Sequence, residues 1–154
     1  MFENINNKSS EKTLLELKDL ASKKLSEASA MPKELYTSNE ILELEKNLIF
    51  SNEWVCAGRE KEIPCPGDYF TFQIDTQPIV VLRDEKNNVR ALSNVCLHRM
   101  MKIVEGKGNK KRFTCPYHAW TYNLDGQLVM AKYMDRTDCF KKENMKLPQI
   151  KCEV

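Results

Sequence analysis

Apolar residues recur every three or four positions through the N-terminal part of the chain, then switch to every second position. Leu14, Leu17, Ala21, Leu25 and Ala28 form one helical stripe and predict a helix from Glu11 to Ala28. Met31-Pro32 ends it, because the residue before a proline is pushed out of the helical region. A second helix is predicted from Asn39 to about Phe50. Thr37-Ser38-Asn39-Glu40 reads as a capping box there, and Ile41, Leu44 and Leu48 form a face. Both helices are expected to pack on the following domain or on a partner subunit. Residues 1 to about 10 are polar and predicted to be loose.

After Trp54, segments 69–74, 79–82 and 89–92 read as short strands. Asp84-Glu85-Lys86-Asn87-Asn88 supplies a hairpin turn between the last two, and further turns are predicted at Gly106-Lys107-Gly108-Asn109 and Asp125-Gly126. Pro64, Pro66 and Gly67 mark the entry to the first strand. The C-terminal stretch Leu147–Val154 alternates like a strand whose partners are missing. The fold class expected is mainly β: a small antiparallel domain behind a helical lead-in.

The length of 154 residues bounds this to one main domain. Lys and Arg total 24 against 22 Asp and Glu, a balance that does not point to nucleic acid. No apolar run is long enough to span a membrane. MFENINNKSS lacks a basic segment followed by an apolar one, so the expected compartment is cytoplasmic and reducing. Six cysteines in that setting read as ligands or buried thiols rather than three disulfides.

The chemistry concentrates in residues 94–122. Cys96-Leu97-His98 and Cys115-Pro116-Tyr117-His118 each follow a predicted strand, with a glycine-containing hairpin between them. Both histidines of the chain fall inside this stretch. Two thiolates and two imidazoles suit a tetrahedral Zn²⁺, or a [2Fe–2S] cluster in which two His replace two Cys on one iron. Zinc modules favour Cys-Cys and His-His pairs. One Cys and one His from each loop suits a binuclear centre, since each loop can give its Cys to one iron and its His to the other. Buried thiols beside packed imidazoles would leave the paired spacing unexplained.

Cys-x-His-x16-Cys-x-x-His, with Arg99 after the first His and Pro116, Tyr117 and Trp120 around the second, resembles the Rieske iron–sulfur domain. More narrowly it resembles the N-terminal domain of the large (α) subunit of Rieske non-haem iron oxygenases. Trp54-Val55-Cys56-Ala57-Gly58 and Pro66-Gly67-Asp68-Tyr69 extend the likeness. The resemblance implies a Rieske-type antiparallel β-sandwich with a two-loop cluster-binding subdomain. It divides the chain into a helical lead-in (1–50), a Rieske domain (51–145) and the start of a missing catalytic domain (146–154). Cys96 and Cys115 would hold the inner iron of the cluster, His98 and His118 the outer one. The implied role is electron relay from a reductase or ferredoxin to a catalytic oxygenase domain or subunit, in a family that forms homo-oligomers. Oxygenases of this family use an iron held by two His and a carboxylate. No His is left for it, so the catalytic iron is expected outside this chain, which reads as truncated or separately encoded. The alternative from the same likeness is a free-standing Rieske ferredoxin, and a structural zinc domain is a third reading.

Respiratory Rieske proteins carry an extra Cys in each loop and a Ser two residues after the second His. Here those positions hold Met101, Tyr117 and Trp120, which implies a low-potential, oxygenase-type cluster. The family usually has glycine where this chain has Met100 and Ala119. If φ is positive there, both residues are strained. Cys56, Cys65, Cys139 and Cys152 read as packed thiols. Arg99, Lys102, Lys107, Lys110, Lys111 and Arg112, facing only Glu105, read either as a solvated hairpin or as a docking patch for an acidic electron donor.

Overall fold

The computed structural model describes residues 8–134 and 136–154. The chain divides into two compact units, residues 1–55 and 56–154.

In the first unit, α1 runs Lys8–Ser22 and stops well before the predicted Ala28. The Ser22 hydroxyl donates to the Asp19 carbonyl at 2.7 Å, and the Lys23 N–H folds back to Leu20. Such side-chain bonds compete with the helical ladder and end it. Leu25, expected on the stripe, sits in a single 3₁₀ turn and is fully exposed. A short helix α2 (Glu34–Thr37) precedes α3 (Asn39–Glu45), which passes into a π-turn over Lys46–Phe50. The predicted capping box does not form: the N-cap is Ser38, one residue on, which puts Ile41 rather than Glu40 at the third helical position. Thr37 belongs to α2 and donates its hydroxyl to the Lys33 carbonyl, while Ser38 caps α3 by a long bond from the Ile41 N–H.

The second unit holds two antiparallel sheets. The larger has the order β4-β1-β2-β3-β8, built from β1 (Asp68–Ile74), β2 (Gln77–Arg83), β3 (Val89–Ser93), β4 (Lys107–Asn109) and β8 (Gln149–Ile150). The smaller consists of β5 (Phe113–Thr114), β6 (Thr121–Tyr122) and β7 (Leu128–Met130), in that order. Central strand β2 reads as an unbroken apolar run because both its faces are covered. Val80 and Leu82 join a core with Leu92, Phe113, Tyr122 and Leu128; Ile79 and Val81 join a smaller one with Ile63 and Ala91.

Two expectations are corrected here. Gly106–Asn109 is not wholly a turn: Gly106 bends the chain at φ 67°, and Lys107–Asn109 then becomes an edge strand on β1. Tyr69 lies along Gly108 in this pairing, and a Cβ there would make ordinary contact with its ring at 3.4 Å. The terminal strand, expected to lack partners, pairs with β3 through Ala91–Ile150 and Leu92–Gln149.

The remaining turns follow their chemistry. Asp84 accepts from the Lys86 and Asn88 N–H groups and from the Arg90 guanidinium, at 2.9, 2.8 and 2.6 Å, while Asn87 takes the left-handed φ of 67°. Gly126 turns the β6–β7 hairpin at φ 89°, the left-handed region that favours glycine, in ordinary contact with Leu147 and Leu92. Of the four cysteines expected to be packed, Cys56, Cys65 and Cys139 are exposed in loops and Cys152 is half-buried. No helix among the described residues is long and apolar enough to cross a membrane.

Candidate metal centre

Two loops with one backbone design carry the predicted ligands. In Cys96–Met101, the Cys96 N–H donates to Met101 O at 2.8 Å and the Met100 N–H to Cys96 O at 3.0 Å. In Cys115–Trp120, the Cys115 N–H donates to Trp120 O at 2.8 Å and the Ala119 N–H to Cys115 O at 3.0 Å. The fifth residue of each is left-handed, with φ 56° at Met100 and 57° at Ala119. The glycine-like geometry anticipated at both positions is therefore present, with side chains that strain it.

The loops place their donors in two tiers. Cys96 and Cys115 are buried, 1% and 3% exposed, with their thiols within interaction distance of each other. His98 and His118 are half-buried, with ring centroids 4.7 Å apart and planes at 68°. Among the described residues no three His, Cys, Asp or Glu side chains converge as ligands of one ion. The donors meet two by two, which fits two irons bridged by sulfide better than one tetrahedral Zn²⁺. His98 Nδ1 adds to the fit: it is sealed from solvent and has no hydrogen-bond partner, as a metal-seeking nitrogen would be.

Electrostatics prepare these groups. Burial, then the neighbouring His118 and Arg99 charges, hold His98 below the usual imidazole range, so the ring is neutral at pH 7 and its lone pair is free. Burial pushes the Cys96 thiol up, although the Tyr122 hydroxyl and the His98 backbone N–H, both donors to its sulfur, pull the other way. A bound metal ion would offset that rise by favouring the thiolate. Tyr122 itself is raised well above an ordinary phenol, first by burial. Its hydroxyl lies 3.3 Å from Cys96 Sγ and accepts the Leu97 N–H at 3.0 Å.

Asn94 and Tyr122 carry no motif signal in the sequence, where Trp120 and Tyr117 stand only as flanks of the second ligand pair. Asn94, fully buried, donates to Val104 O at 2.8 Å and accepts the Ile103 and Val104 N–H groups at 3.2 and 3.0 Å, which ties down the approach to the first loop. Trp120 stacks on His98 at 4.8 Å with planes 6° apart, and Tyr117 lies 3.8 Å from the His118 ring. The available signal was polarity inside an apolar frame: a Tyr on a strand as buried as β6 needs a partner for its hydroxyl. Of the cations between the loops, Lys102 pairs with Glu105 at 3.3 Å and Lys107 with Glu62 at 3.6 Å.

Comparison with known proteins agrees with this geometry. The family model of the Rieske [2Fe-2S] domain matches residues 53–141, more than half of the chain. The carnitine monooxygenase oxygenase subunit of Acinetobacter baumannii is 40% identical over 127 residues, covering 82% of this chain and 34% of that protein. The anthranilate 1,2-dioxygenase large subunit of Acinetobacter baylyi is 45% identical over 101 residues, 65% of this chain and 21% of that one. Among solved structures, the quaternary ammonium Rieske monooxygenase CntA with L-carnitine superposes with a TM-score of 0.74 at 41% identity, over 79% of this chain and 35% of that one. Naphthalene 1,2-dioxygenase from Rhodococcus sp. gives 0.78 at 31% identity, over 90% and 31%. The chain spans about a third of the length of the curated carnitine monooxygenase subunit it matches.

Proposed function

The chain belongs to the Rieske [2Fe–2S] family, and on that premise we propose that it relays single electrons through a cluster held by Cys96, His98, Cys115 and His118. The buried thiols would hold one iron and the half-buried imidazoles the other, and the imidazoles are the donors that stand nearer the surface. The cluster, when bound, supplies the one-electron couple, and neutral imidazoles raise its potential above that of an all-thiolate centre. The chain's own residues do the rest. Tyr122 holds the Cys96 sulfur, Trp120 backs the His98 ring, and Asn94 fixes the first loop.

The donor is a reductase or ferredoxin, and the acceptor a mononuclear-iron oxygenase site carried by residues outside this chain. Names among the relatives include both a carnitine and an anthranilate oxygenase, so the reading concerns the electron-transfer step that serves such enzymes rather than one substrate. The observation that carries it is His98 Nδ1, sealed and partnerless beside His118 and above a buried thiol pair.

The test is an absorption and EPR spectrum of the anaerobically purified, dithionite-reduced protein. A brown protein with a rhombic signal whose average g lies below the free-electron value supports the proposal. A colourless, EPR-silent protein containing stoichiometric zinc overturns it.

A further inference from the structure

Two buried side-chain polar atoms among the described residues have no hydrogen-bond partner: His98 Nδ1 and the indole Nε1 of Trp120. They belong to rings stacked on each other at 4.8 Å and nearly parallel. The first is accounted for above by iron. The second is not, and a buried N–H without an acceptor is a cost that native interiors avoid. An indole nitrogen is a donor only, so the missing group must be an acceptor. Trp120 is 3% exposed and its Nε1 is sealed within this chain, which keeps a docking partner's side chain from reaching it. The acceptor is therefore enclosed in the interior, and the group that the two loops would hold next to the stacked rings is the cluster.

We propose that the Trp120 indole N–H donates a hydrogen bond to a sulfur of the [2Fe–2S] cluster, so that Trp120 contacts the cofactor directly as well as backing His98. This rests on the cluster reading given above. Sulfide and thiolate sulfurs carry negative charge, and a hydrogen bond to them strengthens when the cluster gains an electron. The bond therefore favours the reduced state and raises the potential.

Trp120→Phe keeps a ring against His98 and removes only the donor. With the cluster confirmed by EPR, this variant is expected to hold its electron roughly tenfold less tightly, read by spectroelectrochemistry as a potential about 59 mV lower. In parallel, wild-type protein carrying ¹⁵N-indole tryptophan is reduced and examined by pulsed EPR. A ¹⁵N coupling is expected, and it should persist in Trp54→Phe, where Trp120 is the one remaining tryptophan. A wild-type potential in Trp120→Phe together with no ¹⁵N coupling overturns the proposal while leaving the cluster intact. Should Trp120→Phe lose its cluster, the labelled wild-type protein decides alone. A wild-type chain that never acquires a cluster overturns the underlying reading as well.

Discussion

The two ligand loops share their backbone and differ in where their support comes from. Each closes with the same two hydrogen bonds and the same left-handed fifth residue, yet His is the third residue of one loop and the fourth of the other. The offset lets two similar loops present their imidazoles at 68° to each other. The sixth residue separates them further. In the second loop it is Trp120, buried and stacked on His98; in the first it is Met101, 45% exposed. The second loop thus supplies support across the site. The first loop receives it, from Asn94, Tyr122 and Trp120. A shared backbone design sets where ligands can stand, and borrowed side chains decide how firmly they are held.

The comparison can be broken most severely at the ligands. Replacing Cys96, His98, Cys115 or His118 by Ala should abolish the visible absorption in either loop alike, and a variant keeping the native spectrum would remove that residue from the ligand set. Asn94→Ala should damage the first loop selectively. It strips three buried hydrogen bonds and leaves the Val104 N–H and carbonyl without their side-chain partner, while the Ile103 N–H keeps its bond to the residue-94 carbonyl, a loss of roughly 2–4 kcal/mol in urea unfolding, with faster cluster loss. Tyr122→Phe also acts on the first loop, and should lower the potential with a stability cost of about 1–2 kcal/mol. Met100→Gly and Ala119→Gly sharpen the likeness instead. Relief of the left-handed strain, less the extra freedom of an unfolded glycine, should stabilise each by about 0.5–1 kcal/mol and by similar amounts.

The smallest effect lies away from both loops, at Asp84. Burial raises its pKa, but the Asn88, Arg90 and Lys86 donors together bring it below the ordinary 3.8. A carboxylate lowered in the folded state contributes stability that is fully present above the unfolded value and lost as pH falls through the folded one. Acid titration of unfolding should therefore show a modest loss beginning near pH 4 and continuing below it, absent in Asp84→Asn.

Much of this was legible from the chain. The strands over 69–74, 79–82 and 89–92 follow from apolar runs bounded by Asp, Asn and Gly, and the structure extends them by only a residue or two. The paired loops were visible because metal-binding residue types clustered at tight spacing, and the positive φ at Met100 and Ala119 because a glycine position was filled by something else. What could not be read depended on distant partners. Gly106–Asn109 has turn chemistry, and backbone pairing with Asp68–Phe70, distant in sequence, makes Lys107–Asn109 an edge strand. The end of α1 depended on a single Ser22 hydroxyl, against a stripe that ran on to Ala28. Tyr122 and Asn94 are polar residues whose value lies in partners many positions away.

The hairpin turn at Gly126 joins the sheet that carries the second ligand loop to the residues leading into β8, with the Leu147 N–H donating to Gly126 O and Leu147 and Leu92 in van der Waals contact around it. It works as a rivet between two plates. Close-packed interiors yield little, so a sheet pinned in this way resists rocking when charge arrives at its far end. On the proposed electron relay, the atoms that rearrange on reduction would then be confined to the immediate surroundings of the redox centre, which would keep the reorganisation energy low.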